Sequence, residues 1–482
     1  MRLLVILPVL LFSSLAVATA EQRALSPDDV LAASAAHFPD ILEALANRRS
    51  AQSGLTEAQG AFDLVFEAEG KDYVSGFYSG REVGARVRQE IAPLGASVYG
   101  GYRVSDGTFP VYEDIRFTNS GGEVKVGAVF SLLRDRSIDE RRFALNDARL
   151  AVDEADLDVL LTRVGVQHRA LIAYWRWVAA GRQLAVYEEL LTIAEGRQAG
   201  LEEQVRAGAR ARIFLTENQQ NISRRQRLAA EASRTFLAAA FDLSFYLRDG
   251  AGSPLAPDRS ALPPVTVLTA PPEAPAIGED DLPPILAARP ELRALGVALA
   301  RARQRVALGR NALQPRLEAL AEVSRDFGSI AEGGASRDST DTIIGLKFTV
   351  PLQRRDARGK LARAEADLEA LEQRRRKAEE RMEIDLRTIL LDRDTSGALM
   401  RIASQEVDQS AAMQRAELQR FNSGASDFFL VNLREETAAD ARIRFYLAAL
   451  EARIADANTS AIALDFEKLG LTDVQTALAP SD

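Results

Sequence analysis

The side chains that most often carry catalysis or bind metals are scarce in this sequence. Its 482 residues include no cysteine and only two histidines, His37 and His168. The lack of cysteine excludes disulfides, thiolate metal ligands and thiol nucleophiles. No nucleophile elbow, phosphate-binding loop or histidine-glutamate metal motif occurs. We therefore expect no enzyme activity, no metal and no cofactor, and we place each histidine on a helix surface or between helices.

Carboxylates are abundant, and two neighbouring carboxylates can act as a general acid and a general base. The pairs Glu188-Glu189, Glu202-Glu203 and Glu435-Glu436 stand in charged helical patterns that are typical of a solvated face. We interpret them as surface residues. The net charge of -9 also argues against a nucleic-acid partner.

Two aromatic clusters are candidates for a ligand site. The first, Tyr174-Trp175-Arg176-Trp177, falls within a long helical pattern, where consecutive side chains point in different directions. This predicts packing between helices. The second, Phe428-Phe429-Leu430, follows Gly424 at the tip of a predicted hairpin without an obvious core. A constriction, a partner contact and burial all remain open there.

The N-terminal segment has the features of an export signal. Met1–Ala20 contains a lone Arg2, an apolar run and the small residues Ala18-Thr19-Ala20. These features predict a cleaved secretory signal. No other apolar run reaches the roughly 18 residues that a membrane-spanning helix needs.

Glu21–Gln59 is predicted to be helical, and the composition then changes to strand-like segments rich in glycine and tyrosine between Phe62 and Leu133. After these segments, long stretches without proline predict long helices, each reversing direction at a glycine, Gly208 or Gly424. A helix from about 138 to 206 would be roughly 100 Å long. The helices must therefore build an elongated object.

The same order of elements occurs twice. A strand-to-helix unit containing Gly127 and Phe130 aligns with a later one containing Gly345 and Phe348. Pro39 likewise aligns with Pro290, and Gly208 with Gly424. We interpret the chain as an internal duplication, with the signal at 1–20, the first repeat at 21–248, a connector at 249–284 and the second repeat at 285–482. The connector is proline-rich and predicts either a free linker or a strap along the helices, in which Val265–Leu268 would be buried.

These features together resemble the TolC-type outer membrane efflux proteins: a signal peptide, two repeats of helix, β-segment and helical hairpin, a strand ending in Thr349-Val350-Pro351-Leu352, and the Gly424 tip. Arg289-Pro290-Glu291-Leu292 is also similar to what the family has at the start of its second repeat. The resemblance covers essentially the whole mature chain.

The resemblance implies an α+β membrane protein, a homotrimer in which each chain contributes four strands to a single 12-stranded β-barrel in the outer membrane. Long helices would continue this barrel as a coiled-coil tunnel through the periplasm. It also implies an exit duct for a tripartite efflux or type I secretion system. The partners would be a periplasmic adaptor, also called a membrane fusion protein, and through it an inner membrane transporter.

The predicted strands 96–104, 124–130 and 342–350 are then expected to lie in lipid, with Tyr99, Tyr102 and Phe348 facing outward or towards the membrane interface. The β-region of the first repeat is longer than that of the second, which indicates either extended loops or an additional hairpin.

The tips at Gly208 and Gly424 are expected to form the periplasmic mouth. Family members often have acidic rings at positions that correspond here to Leu430 and Leu433, or to Val431 and Arg434 if one residue is inserted, so an apolar constriction is expected instead. The constriction and tip candidates are Gly208, Gly424, Asp427, Phe428, Phe429, Leu430, Leu433 and Arg434, with Asp427 and Arg434 available for ion pairs between chains. The alternative interpretation is a soluble periplasmic scaffold or adaptor whose β-segments form a small head.

Overall fold

The structure is a computed structural model that describes residues 23–109, 117–272, 277–330 and 339–472. The predicted signal, Met1–Ala20, lies outside these residues. The elements before the connector are α1 (Pro27–His37), α2 (Pro39–Gln59), β1 (Val65–Asp72), β2 (Gly80–Ile91), β3 (Ala96–Gly107), β4 (Glu123–Ser131), α3 (Glu140–Arg206) and α4 (Ile213–Ser244). The connector and second half contain α5 (Val265–Thr269), α6 (Leu282–Ala288), α7 (Pro290–Ala312), β5 (Arg316–Asp326), β6 (Thr340–Thr349), α8 (Arg355–Asn422) and α9 (Phe428–Ala463).

The N-terminal helical region consists of two helices instead of the predicted single one. The break is at Phe38 because proline disfavours the helical conformation of the residue before it. Ser26 caps the start of α1, and its hydroxyl accepts a hydrogen bond from the Asp29 amide at 3.2 Å. Hydrogen bonds from Ser26 hold the pKa of Asp29 below its usual value.

The strands form one antiparallel sheet in the order β1 to β6. The prediction of four strands per chain is therefore wrong, because the described residues form six, whereas the trimer and its barrel stay predictions. The longer β-region of the first half contains an additional hairpin, β1–β2, and β2 pairs with β3 along its whole length. The two halves of the chain are joined within the sheet, because β4 pairs with β5.

The helices form an elongated layer. α3 has 67 residues and α8 has 68, so each is about 100 Å long at 1.5 Å per residue. Next to the sheet the order of packed helices is α2, α3, α7, α8, and further away it is α4, α3, α9, α8. Within the described ranges, no helix has an apolar stretch long enough to span a membrane.

The largest core cluster lies where α3 is covered by α1, α4, α9 and the connector. Tyr174 and Trp177 are fully buried there, and Trp175 is nearly so. Trp177 stacks on Phe236 of α4, and the Tyr174 hydroxyl donates a hydrogen bond to the Leu25 carbonyl at 2.9 Å. The prediction that the aromatic cluster packs between helices is confirmed.

The connector is a strap. Leu268 is fully buried in the main core, and Val267 packs beside it. The guanidinium of Arg453 on α9 donates hydrogen bonds to the carbonyls of Val267 at 2.7 Å and Ala270 at 2.9 Å. An ion pair between Arg259 and Glu188 joins the strap to α3. The strap therefore ties the two halves together along α3 and α9.

We expect Leu268→Ala to destabilise the helical region by about 2–5 kcal/mol, because the substitution leaves a cavity in a dry core. Leu255→Ala is the matched control, since Leu255 lies in the same connector but is 51% exposed. Urea-induced unfolding followed by far-ultraviolet circular dichroism measures the difference. Equal midpoints for the two variants would show that the strap contributes no stability through Leu268.

Candidate functional site

The sheet has two chemically different faces. Alternate residues of a strand point to opposite faces, and the register of the ladders places mostly apolar residues on one of them. These apolar residues are Phe66, Ala68, Val83, Ala85, Val87, Val98, Tyr102, Val104, Val124, Val126, Ala128, Phe130, Leu317, Ala319, Ala321, Val323, Ile344, Leu346 and Phe348. Several are strongly exposed in the single chain, including Ile344 at 81% and Leu346 at 72%. An apolar face of this size requires an apolar environment.

The opposite face is charged, and most of its ion pairs join neighbouring strands. The ion pairs on this face are Arg86–Glu67, Arg103–Glu82 at 3.3 Å, Arg103–Glu123 at 2.7 Å, Lys125–Glu123 at 3.7 Å and Lys125–Glu322 at 3.8 Å. Four of these pairs form a continuous chain of alternating sign from Glu82 on β2 to Glu322 on β5, and Arg86–Glu67 is a separate pair between β2 and β1. The face is therefore polar without carrying a field of one sign.

Tyr99 lies on the charged face, opposite to Tyr102 and Phe348, and its expected outward or interfacial position stays a prediction. Its hydroxyl donates a hydrogen bond to Glu322, and its ring lies across Gly127. A Cβ at position 127 would stand 2.5 Å from the Tyr99 ring, so only glycine leaves room for it. Tyr102 and Phe348 do lie on the apolar face, and their contact with lipid stays a prediction.

The two helical hairpins end in the same geometry. Gly208 and Gly424 have φ angles of +70° and +77°, a left-handed conformation that glycine adopts without steric cost. The next amide in each hairpin caps its helix: Ala209 donates to the Gln204 carbonyl at 2.9 Å, and Ala425 to the Arg420 carbonyl at 2.8 Å. Each glycine therefore terminates its long helix in a Schellman motif.

The two hairpin tips pack on each other through aromatic rings and arginines. Phe428 is fully buried, and its ring centroid lies 6.1 Å from that of Phe214 and 6.3 Å from that of Phe421. The guanidinium groups of Arg197 and Arg210 stack on these rings, with the arginine Cζ atoms 4.7–5.4 Å from the ring centroids. Phe428 is thus a core residue of the tip, which contradicts its selection as a constriction residue.

The other tip candidates are arranged around this core. Phe429 is 63% exposed and Leu433 is 44% exposed, whereas Leu430 is half-buried. Asp427 caps α9 by accepting a hydrogen bond from the Leu430 amide at 2.8 Å. Arg434 is half-buried on the same helix. Each chain therefore presents Phe429 and Leu433 on its surface.

A buried cluster of charged residues, which the sequence analysis did not predict, lies next to the tip on the side towards the sheet. Glu435 is 4% exposed and pairs with two arginines, Arg197 of α3 and Arg225 of α4; Arg225 is 1% exposed and stands 3.0 Å away. Arg225 also donates to the Leu190 carbonyl at 2.8 Å, and Arg197 to Asn432 at 3.0 Å. We call Glu435, Arg197 and Arg225 the charge triad.

The assignment of Glu435 to a solvated face is therefore wrong. Its spacing from Val431 and Ala438, both buried, places it on the apolar seam of α9, and this spacing was the available signal. The neighbouring Glu436 is more exposed and pairs with Arg224 at 3.0 Å. Glu188 and Glu189 form exposed ion pairs with arginines, as their surface assignment predicts.

His168 lies between α3 and α9, where its Nε2 is 2.7 Å from the Asn458 Oδ1. Burial lowers the pKa of His168, which favours the neutral ring near physiological pH. Its position agrees with the predicted interhelical role.

The overall fold is that of bacterial outer membrane channels. The CmeC outer membrane channel of Campylobacter jejuni has a TM-score of 0.63 and 14% identity, with 91% of this chain and 85% of that chain covered. VceC of Vibrio cholerae has a TM-score of 0.62 and 14% identity, with coverage of 91% and 95%. The open state of the MtrE channel of Neisseria gonorrhoeae has a TM-score of 0.60 and 14% identity, with coverage of 91% and 88%.

Residues 282–462, which include α6 to α9 and the strands β5 and β6, match the family model described as outer membrane efflux protein. No curated protein matches the chain. The second half of the chain is thus similar to the outer membrane efflux proteins, and the whole chain shares the fold of outer membrane channels.

We expect Glu435→Gln to weaken the packing of α9 against α3 and α4 by about 3–5 kcal/mol, because two arginines, one of them fully buried, lose their counter-charge. Glu436→Gln is the matched control, since it removes only a more exposed pair that contributes about 0–1 kcal/mol. Hydrogen exchange of the α9 amides reports the local loss. Equal exchange rates in the two variants would exclude a stabilising role for the charge triad.

Proposed function

We propose that three copies of the chain form a closed duct through which an efflux system passes its substrates across the outer membrane. The observation that carries this proposal is the separation of the sheet into an apolar and a charged face. In a barrel wall the apolar face would contact lipid and the charged face would line a water-filled lumen. A soluble scaffold with a small β-head, the alternative, would need another protein to cover the whole apolar face.

The helical layer supports closure into a ring. One edge of the layer is formed by α8, and the other edge is formed by α2 and α4. The edge strands of the sheet lie on the same two sides, because β6 precedes α8 in the chain and β1 follows α2. Both helical edges expose apolar side chains: Leu237 and Phe241 on α4 with Phe245 directly after it, and Ile384, Leu391 and Ile402 on α8. Contact of α8 with α4 of the next copy would bury both stripes, and repetition of this head-to-tail contact generates a ring.

The correspondence of the two halves supports an internal duplication. α2 and α7 both begin with a proline, at Pro39 and Pro290, and both are followed by strands. α3 and α8 differ by one residue in length and end in the same glycine motif. Since each chain has two helical hairpins, a ring of three copies would contain twice as many hairpins as chains.

The tips are the surface that we assign to the periplasmic adaptor, through which the duct would receive substrates from an inner membrane transporter. Three copies would bring Leu430 and Leu433 together as an apolar collar that resists hydration. Phe429 is the third candidate for this collar. Asp427 and Arg434 are suited to ion pairs between chains, each contributing about 0–1 kcal/mol when exposed. Modest contacts with an adaptor would then be enough to open the mouth.

We expect the double substitution Leu430→Ser and Leu433→Ser to raise the conductance of purified trimers in planar bilayers several-fold, because hydroxyl groups allow water into the collar. Leu447→Ser, on the same helix but away from the tip, is the control and should leave conductance unchanged; Leu447 is 44% exposed. Unchanged conductance of intact double-substituted trimers would place the constriction elsewhere.

The orientation of the sheet is tested by Val126→Arg and Val129→Arg. These valines are on the same strand but on the apolar and the charged face, respectively. Arginine at 126 should cost roughly 2–4 kcal/mol near the middle of the bilayer, whereas arginine at 129 would project into the lumen. The measurement is the amount of heat-resistant oligomer in the outer membrane fraction. Equal amounts of the two variants would contradict the proposed lipid-facing side.

A further inference from the structure

The two edge strands of the sheet, β1 and β6, each have one side without a hydrogen-bonded neighbour in the part of the chain that the structure describes. All residues of β1 and nearly all of β6 are exposed in the single chain. An open sheet edge in a bilayer leaves amide and carbonyl groups unsatisfied, at several kcal/mol each. Each edge therefore needs a strand from another copy.

We propose that β6 of one copy pairs with β1 of the next, so that three copies close a barrel of eighteen strands. The number of copies rests on the proposed function, whereas the strand count rests on this sheet. The partner that the edge fits is thus a second copy of the chain, and the additional hairpin β1–β2 forms part of the barrel wall.

A twelve-stranded barrel would require the neighbouring copy to pair with β3 instead. That side of β3 is already occupied by β2, through an unbroken ladder from Gly80 opposite Gly107 to Ile91 opposite Ala96. Such a barrel would lose this ladder and leave the hairpin β1–β2 outside the wall. The strand directions also fit closure at β1, because β1 runs away from the helices and β6 returns towards them, as antiparallel neighbours must.

We call the contact between β6 of one copy and β1 of the next the seam. The stagger of the strands within one chain predicts which residues pair across it. The row of paired residues that starts at Glu67, near the helical end of β1, passes through Arg86, Gly101, Lys125 and Ser324 and reaches Asp341, near the far end of β6. From each strand to the next, a row of paired residues therefore moves about one residue further from the helices. Equal heights of the three copies then place Lys347 opposite Glu67 of the next copy. A stagger of about 18 residues around about 18 strands corresponds to a strand tilt of about 35°, within the range of membrane barrels.

The chemistry of the two edges agrees with this register. Lys347 and Glu67 have opposite charges and lie on the charged face, and cross-strand pairs of opposite charge are favourable. Among the described residues, Lys347 forms no ion pair within its own chain. On the other face the same register sets Phe348 beside Phe66, which are each more than 60% exposed in the single chain. One register thus satisfies both faces.

The consequence is a wide exit. With strands about 4.8 Å apart and tilted by about 35–40°, eighteen strands give a backbone diameter of about 35 Å, compared with about 24 Å for twelve. The membrane end would then not be the narrowest part of the duct, and the size limit for substrates would be set at the periplasmic tip.

The test is disulfide cross-linking in the full-length protein, which has no cysteine of its own. The pair Glu67→Cys and Lys347→Cys should give a covalent trimer as its largest product under oxidising conditions in outer membranes. Glu69→Cys with Lys347→Cys should give the same product if the seam is shifted by two residues, and this result would also support the proposal. The matched control is Glu67→Cys with Ile343→Cys, which are four residues out of register and should remain monomeric.

Three results would overturn the proposal. Cross-linking of Lys347→Cys to Ser97→Cys on β3, in place of β1, would show a twelve-stranded barrel. A covalent dimer as the largest product would show that two copies close the sheet, and this would also refute the trimer of the proposed function. If mass measurement showed intact trimers but no cross-link to β1 formed, the trimer would be supported and the pairing of β6 with β1 would be rejected.

Discussion

The proposed duct depends on the need to pair every backbone amide and carbonyl of a sheet that would lie in lipid. The six strands that the structure describes pair with one another but leave β1 and β6 each with one unpaired side. The same incompleteness extends into the helical layer, where α4 and α8 expose apolar stripes at its two sides. Because the sheet edges and the helical edges adjoin the same sides of the chain, a single head-to-tail contact would satisfy both requirements.

The tip differs from the sheet and helical edges, because its main contacts are made within one chain. Phe428 and its neighbouring rings join the two hairpins at their ends, and the charge triad joins three helices just behind them. Separation of α9 from α4 would break the Arg225–Glu435 pair and leave Arg225 without its counter-charge in a poorly solvated site. An opening movement that keeps the two hairpins together as one unit avoids this cost. The exposed residues Phe429 and Leu433 are then free to form contacts between copies.

The chemistry of the charged face, which would line the lumen of the proposed duct, follows from ion pairing rather than from net charge. Arg103 and Lys125 each contact carboxylates on neighbouring strands, so the charges largely neutralise one another. These pairs cross from strand to strand and therefore also fix the register of the sheet. A neutralised polar wall would offer no strong binding site to a passing anion or cation, which suits a duct that must release its substrates.

The sequence by itself determined the elements whose cause is local. The prolines fixed the starts of α2 and α7, the glycines at 208 and 424 fixed the ends of the long helices, and the proline-free stretches fixed their length. The repeated order of these signals was enough to indicate the fold and the resemblance to outer membrane efflux proteins. The strap was left open, because burial of Leu268 depends on helices that are distant in sequence.

Only the tertiary structure decided the features that arise from register and long-range packing. The strand count required the pairing of β2 with β3, since the alternation within residues 65–91 was too irregular to distinguish a hairpin from a loop. Tyr99 faces the charged side because the ladder places it over Gly127, and no property of the tyrosine itself selects a face. Glu435 is buried because two arginines from other helices converge on it. A side chain's solvation depends on its neighbours in space, and these neighbours are not specified by the residues next to it in the chain.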